Sequence, residues 1–163
     1  MKVAVLQFPG TNCEFDAKYA FDKLGCEVEV IWRKEGKLPE NTDLVVVPGG
    51  FSYGDYLRSG AIARFANIME DVKKFATNGG KVLGICNGFQ ILLEAGLLPG
   101  AMKRNDTLHF ISKYHTLKVI DNNNEFLRLL NVGDVVNIPV AHHDGNYYID
   151  EAGLKELEAN NQI

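Results

Sequence analysis

The sequence predicts a doubly wound α/β fold, with a mostly parallel sheet and helices on both faces. Short apolar runs alternate with helical patterns from the N-terminus to about residue 96, and this alternation is typical of β-α-β units. Pro-Gly, Gly-Gly and Asn-Gly-Gly sequences close the runs, as expected where strands and helices end. Right-handed crossovers then leave few possible topologies.

Four strands and three helices are predicted in this first part of the chain. The strands are the β-rich or continuously apolar runs KVAVLQF (2–8), EVEVIW (27–32), DLVVVPGG (43–50) and KVLGI (81–85). The first helix begins near Thr11 or Asn12 and presents one face formed by Phe15, Tyr19, Ala20 and Leu24. The second helix rests on the i+3/i+4 spacing of Ala61, Phe65, Ile68, Val72 and Phe75, and the third runs from Asn87 to Ala95.

The pattern changes after Pro99. HTLKVI (115–120) and VVNIPV (135–140) predict strands, Glu125–Leu130 a short helical piece, and residues 150–161 a last helix. The sequence contains no repeat or linker-like stretch, and 163 residues fit the length of one domain. A single domain over residues 1–163 is therefore expected.

Composition and charge exclude several classes of function. The net charge of −4 and pI near 5.6 do not give the basic footprint of a nucleic-acid binder. No apolar run reaches a membrane span, and MKVAVLQF lacks the pattern of a signal peptide. Cys13, Cys26 and Cys86 form no C-x-x-C pair, which favours reduced thiols and no metal site. We therefore expect a soluble, cytoplasmic protein without nucleic-acid or membrane partners.

Cys86 is the strongest candidate for a catalytic residue. It lies at the centre of GICNG (84–88), between a predicted strand and a predicted helix. Glycines two residues before and after allow a sharp turn that lifts a nucleophile above the C-terminal edge of the sheet. The helix N-terminus favours a thiolate, and the Asn87 N–H would point at an oxyanion. Many cysteines are buried and inert, but the strand, glycines and helix together favour a nucleophile.

A second loop at the same edge can supply another oxyanion donor. Pro48-Gly49-Gly50 follows the buried strand, and the sequence FSYGDY comes next. Acyl-transfer sites of this geometry take a second N–H from another loop, and the Gly50 N–H is the natural candidate. The alternative is that the two glycines only end a strand.

The histidines give weaker signals. His142 and His143 are candidate acid–base groups because histidine titrates near neutrality, although adjacent histidines in a polar loop are often only solvated. No further Cys or His spacing supports a metal site. Structural or surface roles are expected for the remaining candidates, which have no supporting pattern: His109, His115 and Cys13.

The motifs together resemble class I glutamine amidotransferases, and within them the glutaminase subunits of phosphoribosylformylglycinamidine synthase. The resemblance covers essentially the whole chain and is carried by LVVVPGGFSYGDYLRSGAIAR, GICNGFQIL, FPGTNCEFD, LLPGAMKRN and NIPVAHHDGNYY. It implies a flavodoxin-like amidotransferase fold.

The resemblance also implies a role for each matched residue. Cys86 would attack the side-chain amide of L-glutamine and form a thioester with release of ammonia. The N–H groups of Gly50 and Asn87 would bind the oxyanion, and Gln90 would help hold the substrate. Ala141 and His142 would lie against the amino-acid end of the substrate.

The implied partners are a large synthetase subunit and a small third subunit. The synthetase would use ATP and Mg²⁺ to convert formylglycinamide ribonucleotide to formylglycinamidine ribonucleotide in purine biosynthesis. No cofactor is expected in the glutaminase subunit itself, since the sequence contains no G-x-x-x-x-G-K-[ST] phosphate loop.

One part of the family pattern is missing from these 163 residues. Class I amidotransferases place a histidine base and its orienting glutamate in an HPE-like motif near the C-terminus, and no His-Pro-Glu occurs here. General acid–base help is typically worth ~10²–10⁴ in rate. We therefore expect that the chain is truncated at its C-terminus relative to the family and poorly active alone. In a weaker alternative, His142 or His143 substitutes for the base.

Two other functions are consistent with parts of the sequence. DJ-1/PfpI-like cysteine hydrolases also place a cysteine on a strand–helix elbow, but they typically have histidine directly after it, where this sequence has Asn87. The other alternative is a catalytically incomplete interaction subunit, because the His–Glu pair is missing.

Overall fold

The computed structural model describes all 163 residues and divides them into two compact units. The first unit comprises Met1–Pro99 and the second Gly100–Ile163.

A four-stranded parallel sheet forms the centre of the first unit. Its strands are β1 (Lys2–Gln7), β2 (Glu27–Trp32), β3 (Leu44–Val47) and β4 (Lys81–Gly84), in the spatial order β2-β1-β3-β4. Val3 pairs with Val28 on one side and with Leu44 on the other. The four predicted strands are confirmed, although β3 ends at Val47 and not at Gly50.

Helices cover both faces of this sheet, as predicted for a doubly wound fold. They are α1 (Glu14–Lys23), α2 (Asn67–Thr77) and α3 (Asn87–Glu94). Alternate residues of the central strands point to opposite faces of the sheet. The face that packs with α1 is formed by Val3, Val5, Leu44 and Val46. The face that packs with α2 and α3 is formed by Ala4, Leu6, Val45 and Val47. Full burial of each large aliphatic side chain contributes about 1.5–3 kcal/mol, so both layers stabilise the sheet.

The predicted face of the first helix is wrong. Phe15, Tyr19 and Leu24 are exposed, as is Ala20, whereas Ala17 and Phe21 pack against the sheet. The rotation of α1 follows from its first residue: Glu14 is buried and accepts a hydrogen bond of 2.6 Å from Gln7 Nε2 at the end of β1. Neither Thr11 nor Asn12 caps the helix, which begins after Cys13.

The second predicted helix is interrupted. A short 3₁₀ segment, Ala63–Phe65, is separated from α2 by Ala66, whose extended backbone (φ −65°, ψ 142°) breaks the helical path. Phe65 is therefore exposed, although its spacing from Ile68 and Val72 fits one helix face. Ala63 and Ala66 enter the core instead.

The second unit is built mainly from antiparallel strands. A long hairpin pairs β6 (Ile111–Lys118) with β7 (Val135–His142), and the short strands β5 (Ala101–Lys103) and β8 (Asn146–Tyr148) form a second pair. Residues 125–130 form turns and not the predicted helical piece. The reason is local: Asn124 Oδ1 accepts the N–H groups of Phe126 and Leu127 and so closes a turn.

The last predicted helix is present as α4 (Glu151–Ala159). Asp150 caps it by accepting the N–H of Gly153 at 2.8 Å, as N-cap aspartates do. None of the helices in the chain has the length and apolar character needed to cross a membrane.

Helix α3 lies directly against the end of β3, and a glycine makes this approach possible. A methyl group at Gly88 would collide with the carbonyl group of Val47. Backbone atoms cannot move aside as a flexible side chain can, so this contact sets the position of α3 on the sheet.

We expect Gly88→Ala to lower the free energy of unfolding by about 1–3 kcal/mol or more, as overpacking in a well-packed interior does. Chemical denaturation followed by circular dichroism measures this loss. Gly36→Ala is the matched control, since Gly36 has no positive φ and nothing within 4 Å of the added methyl group. Equal stability of the two variants would show that α3 does not need the close approach.

Candidate active site

Three loops meet where β1, β3 and β4 end. In the order β2-β1-β3-β4, chain connections run in opposite directions from β1 and β3, and such a switch point leaves a crevice at the carboxyl ends of the strands. The loop after β1 carries Cys13, the loop after β3 carries Gly50, and the turn after β4 carries Cys86. The first unit thus gathers these residues at one edge of its sheet.

Cys86 occupies a strained turn between β4 and α3. Its φ of 53° and ψ of −111° are unfavourable for a residue with a side chain, and the thiol-bearing residue is exposed. A methyl group at Gly84 would lie 2.6 Å from the Leu92 side chain and 2.9 Å from the backbone of Gly88. Both glycines of GICNG are therefore required, and the predicted sharp elbow is confirmed.

The loop after β3 is paired with the loop after β1. Thr11 and Gly50 form an antiparallel bridge, and the Phe51 N–H donates to the Gly10 carbonyl at 3.0 Å. Gly50 has a φ of +135°, and a Cβ there would lie 2.5 Å from the Asn12 nitrogen. Only glycine fits at this position for both reasons.

The backbone amides proposed as oxyanion donors are not engaged by the backbone. The N–H groups of Gly50 and Asn87 have no backbone acceptor in the chain, whereas the neighbouring Phe51 and Gly88 N–H groups donate to Gly10 and Ile85. Free N–H groups next to an exposed thiol can donate to an anionic oxygen.

The side chain of Asn87 connects the elbow to the loop after β3. Its Oδ1 accepts the N–H of Ser52 at 3.0 Å, and its Nδ2 donates to Asp55 Oδ1 at 3.2 Å and to Gln90 Oε1 at 3.0 Å. Asn87, Ser52 and Gln90 are buried. The loop between Ser52 and Asp55 contains a left-handed turn, with positive φ at Tyr53, Gly54 and Asp55.

The same loop is joined to the far end of α3. Arg58 donates two hydrogen bonds of 2.8 Å to the carboxylate of Glu94. These bonds hold the pKa of Glu94 below its ordinary value, and the Arg58 and Arg64 charges act in the same direction. At Gly60 an added methyl group would lie 2.8 Å from the Ile91 nitrogen. The loop therefore follows α3 closely along its length.

Cys13 is close to Cys86 but lies in a different environment. A methyl group at Gly49 would lie 3.4 Å from Cys86 Cβ and 3.7 Å from Cys13 Sγ, so both cysteines flank this glycine. Burial raises the pKa of the Cys13 thiol, and the negative charges of Asp16, Cys86 and Glu14 raise it further. Cys13 is therefore held as a neutral thiol beside the elbow.

The second unit carries the other predicted substrate residues, Ala141 and His142, at the end of β7. A buried asparagine, Asn105, organises their surroundings. Its Nδ2 donates to the carbonyls of His109 and His142, and its Oδ1 accepts the Gly145 N–H. His142 Nδ1 lies 3.0 Å from the same Oδ1. Because that oxygen also accepts the Gly145 N–H, Nδ1 is the donor in the contact with His142.

The sequence-based candidates thus fall into two groups. Cys86, Gly50, Asn87 and Gln90 are together in the first unit, and Ala141 and His142 are in the second. His143, His109 and His115 are exposed, and the ring of His143 packs edge-on against Phe110 at 5.1 Å.

Sequence reasoning missed two residues that organise these groups, Asp55 and Asn105. Asp55 had a weak signal, since it follows a glycine in a loop already under consideration. Asn105 had none. No group of three or more His, Cys, Asp or Glu side chains is arranged to hold a metal ion.

Comparison with known proteins shows the family. The model of the CobB/CobQ-like glutamine amidotransferase domain matches residues 1–163. Subunit PurQ of phosphoribosylformylglycinamidine synthase from Sulfurimonas denitrificans is 68% identical over all 163 residues, which span 73% of that relative. The subunit PurQ from Wolinella succinogenes is 63% identical, again over the whole chain and 75% of the relative.

A solved structure agrees with these relatives. A chain in the structure of PurLQS from Thermotoga maritima is 41% identical and superposes with a TM-score of 0.87, over 92% of this chain and 70% of that one. The relatives are longer than these 163 residues, as the resemblance predicts. The DJ-1/PfpI-like alternative has no such support, and the chain belongs to the CobB/CobQ-like glutamine amidotransferase family.

Proposed function

We propose that the chain is the glutaminase subunit of phosphoribosylformylglycinamidine synthase, in which Cys86 is the nucleophile. The observation that carries the proposal is the exposed cysteine on a strained elbow beside two unengaged backbone amides. It occurs in a chain 68% identical to subunit PurQ of that enzyme from Sulfurimonas denitrificans.

The chemistry follows from this arrangement. The Cys86 thiolate attacks the side-chain carbonyl carbon of L-glutamine, and the carbonyl oxygen takes up the negative charge. The N–H groups of Gly50 and Asn87 stabilise that oxyanion; removal of one such donor costs about 10²–10³ in kcat in enzymes of this type. The C–N bond then breaks, ammonia leaves after taking up a proton, and water hydrolyses the γ-glutamyl thioester to glutamate.

Gln90, Ala141 and His142 are the proposed substrate contacts. Gln90 lies one turn into α3 from the nucleophile, and its buried side chain is oriented by Asn87. His142 is oriented by Asn105 through its Nδ1. These are the arrangements expected for side chains that hold a polar ligand in one orientation.

The proton for the leaving nitrogen needs a general acid. All four histidines of the sequence, His109, His115, His142 and His143, follow residue 100. The histidine that the family resemblance implies as acid–base group belongs to the HPE-like motif, and none of these four histidines stands in such a motif.

The released ammonia passes, in this proposal, to the large synthetase subunit of a complex that also has a small third subunit. The solved structure of PurLQS from Thermotoga maritima, which contains a chain similar to this one, supports an assembly of this kind. We place ATP and Mg²⁺ chemistry in the synthetase and no cofactor in this chain, because thioester formation and hydrolysis need only a thiol, water and proton transfers.

We also propose that residues 1–163 belong to a single amidotransferase domain and that the protein is cytoplasmic. The family model spans residues 1–163, which supports one amidotransferase domain that contains both compact units. All three cysteines are free thiols, which supports a reducing compartment, the cytoplasm.

Replacing the nucleophile tests the proposal directly. We expect Cys86→Ala, assembled with the synthetase partners, to lose glutamine-dependent synthesis by at least about 10³-fold, because no thioester forms. Ammonia-dependent synthesis by the same complex should be unchanged, since the synthetase does not use Cys86. Glutamine-dependent activity that survives Cys86→Ala would refute the assignment.

The two cysteines at the site should differ in reactivity with pH. Because the pKa of Cys13 is raised above its ordinary 9.0, we expect iodoacetamide near neutral pH to label Cys86 well before Cys13. Labelling of Cys13 should be slow at neutral pH and should still be rising above pH 9, because its pKa lies above that value. Peptide mass spectrometry measures both sites, with Cys13→Ser as the control for assignment. Equal labelling rates at neutral pH would contradict this expectation.

A further inference from the structure

We propose that the Asn87 side chain is a positioning residue that fixes the separation of the two oxyanion donors. Asn87 contributes one donor through its backbone N–H, and its side chain holds the loop that contributes the other, at Gly50. The inference rests on the proposed glutaminase function and assigns the side chain a role of its own.

The hydrogen bonds of this side chain leave only one orientation of its amide. Oδ1 accepts from a backbone N–H, that of Ser52, so it must be the oxygen. Nδ2 faces two acceptors, Asp55 Oδ1 and Gln90 Oε1, and has two protons for them. Asn87 is 2% exposed, so water does not compete for these bonds.

The segment that Asn87 holds needs external support. Tyr53, Asp55 and Leu57 all have positive φ, between 53° and 70°. Non-glycine residues in this conformation persist only when their surroundings fix them. The bonds from Asn87 to the Ser52 N–H and the Asp55 carboxylate hold this segment directly before Tyr53 and in its middle.

Gly50 is two residues from Ser52, and its position depends on the same segment. On its other side Gly50 is bridged to Thr11. The hydrogen bond from Ser52 to Asn87 therefore sets the distance between the two oxyanion donors. One donor is the Gly50 N–H, and the other is the Asn87 N–H at the elbow. Misplacement of a reacting or stabilising group by about 1 Å can cost 10²-fold in rate.

The test exchanges the two members of one hydrogen bond. In Asn87→Asp, an acceptor oxygen replaces the Nδ2 group and faces both the Asp55 carboxylate and Gln90 Oε1. We expect kcat for glutamine-dependent synthesis to fall about 10- to 100-fold with a smaller change in KM. Asp55→Asn alone should be within about threefold of wild type, since its amide oxygen still accepts from Asn87.

The double variant Asn87→Asp/Asp55→Asn restores a donor and an acceptor with the original net charge. We expect it to regain at least about tenfold in kcat relative to Asn87→Asp, because the hydrogen bond between residues 87 and 55 is restored. Asn67→Asp is the matched control: it makes the same change at the first residue of α2, where the side chain is exposed. It should behave as wild type.

Two readouts separate positioning from general damage. Alkylation of Cys86 by iodoacetamide needs no oxyanion donors, so the pH-independent rate of its thiolate in Asn87→Asp should match wild type, while the added carboxylate changes only the pH at which that rate is reached. Ammonia-dependent synthesis should also be unchanged if the complex assembles. If both readouts fall together with kcat, or the double variant recovers nothing, Asn87 only maintains the fold and the inference is wrong.

The proposed function would be refuted by other results than those that refute the role of Asn87. It is refuted if the wild-type complex makes no product from glutamine or if Cys86→Ala still does. The present inference is refuted if wild type is active and depends on Cys86, while Asn87→Asp keeps kcat within about twofold of it.

Discussion

The contact between helix α3 and the carbonyl end of strand β3 is the constraint on which the site depends. Gly88 allows the helix to meet the Val47 carbonyl, and Gly84 allows it to begin directly after β4. With the helix this close, the chain turns sharply between the two glycines, and the central residue of the three between them, Cys86, takes the strained conformation. The exposure of the thiol is thus a consequence of backbone packing.

Once α3 is fixed, the loop after β3 has only a narrow space in which to run. Gly60 packs against Ile91, and Arg58 binds Glu94 near the C-terminal end of the helix. Near the N-terminal end, Asn87 binds Ser52 and Asp55. Arg58 is exposed, but the Glu94 side chain is only 10% exposed and accepts two hydrogen bonds. This pair, the buried Asn87 contacts and the close backbone approach together define the course of the loop.

Periodicity and turn chemistry predicted the sheet and the elbow because both arise from local rules. Continuous apolar runs mark strands buried on both faces, and the G-x-C-x-G spacing marks a sharp turn.

The face of α1 could not be predicted in this way, because a buried carboxylate at Glu14 rotates the helix so that Phe15 and Tyr19 are exposed. The turns at residues 125–130 were not predicted for a similar reason, since the Asn124 side chain stabilises turns where the spacing of the sequence indicated a helix. The roles of Asp55 and Asn105 depend on contacts between distant parts of the chain, which single-residue patterns do not contain.

The two cysteines beside Gly49 show how one sheet edge creates two different thiols. Cys86 is exposed at the N-terminus of a helix, where the dipole favours negative charge. Cys13 precedes α1 and has the same access to a helix N-terminus, but its partial burial and the carboxylates of Asp16 and Glu14 raise its pKa. A helix terminus therefore does not by itself make a thiol reactive here. Burial first, and then the surrounding negative charges, raise the pKa of Cys13 and keep it neutral next to the proposed nucleophile, so that a thiolate at Cys86 has no second thiolate beside it at neutral pH.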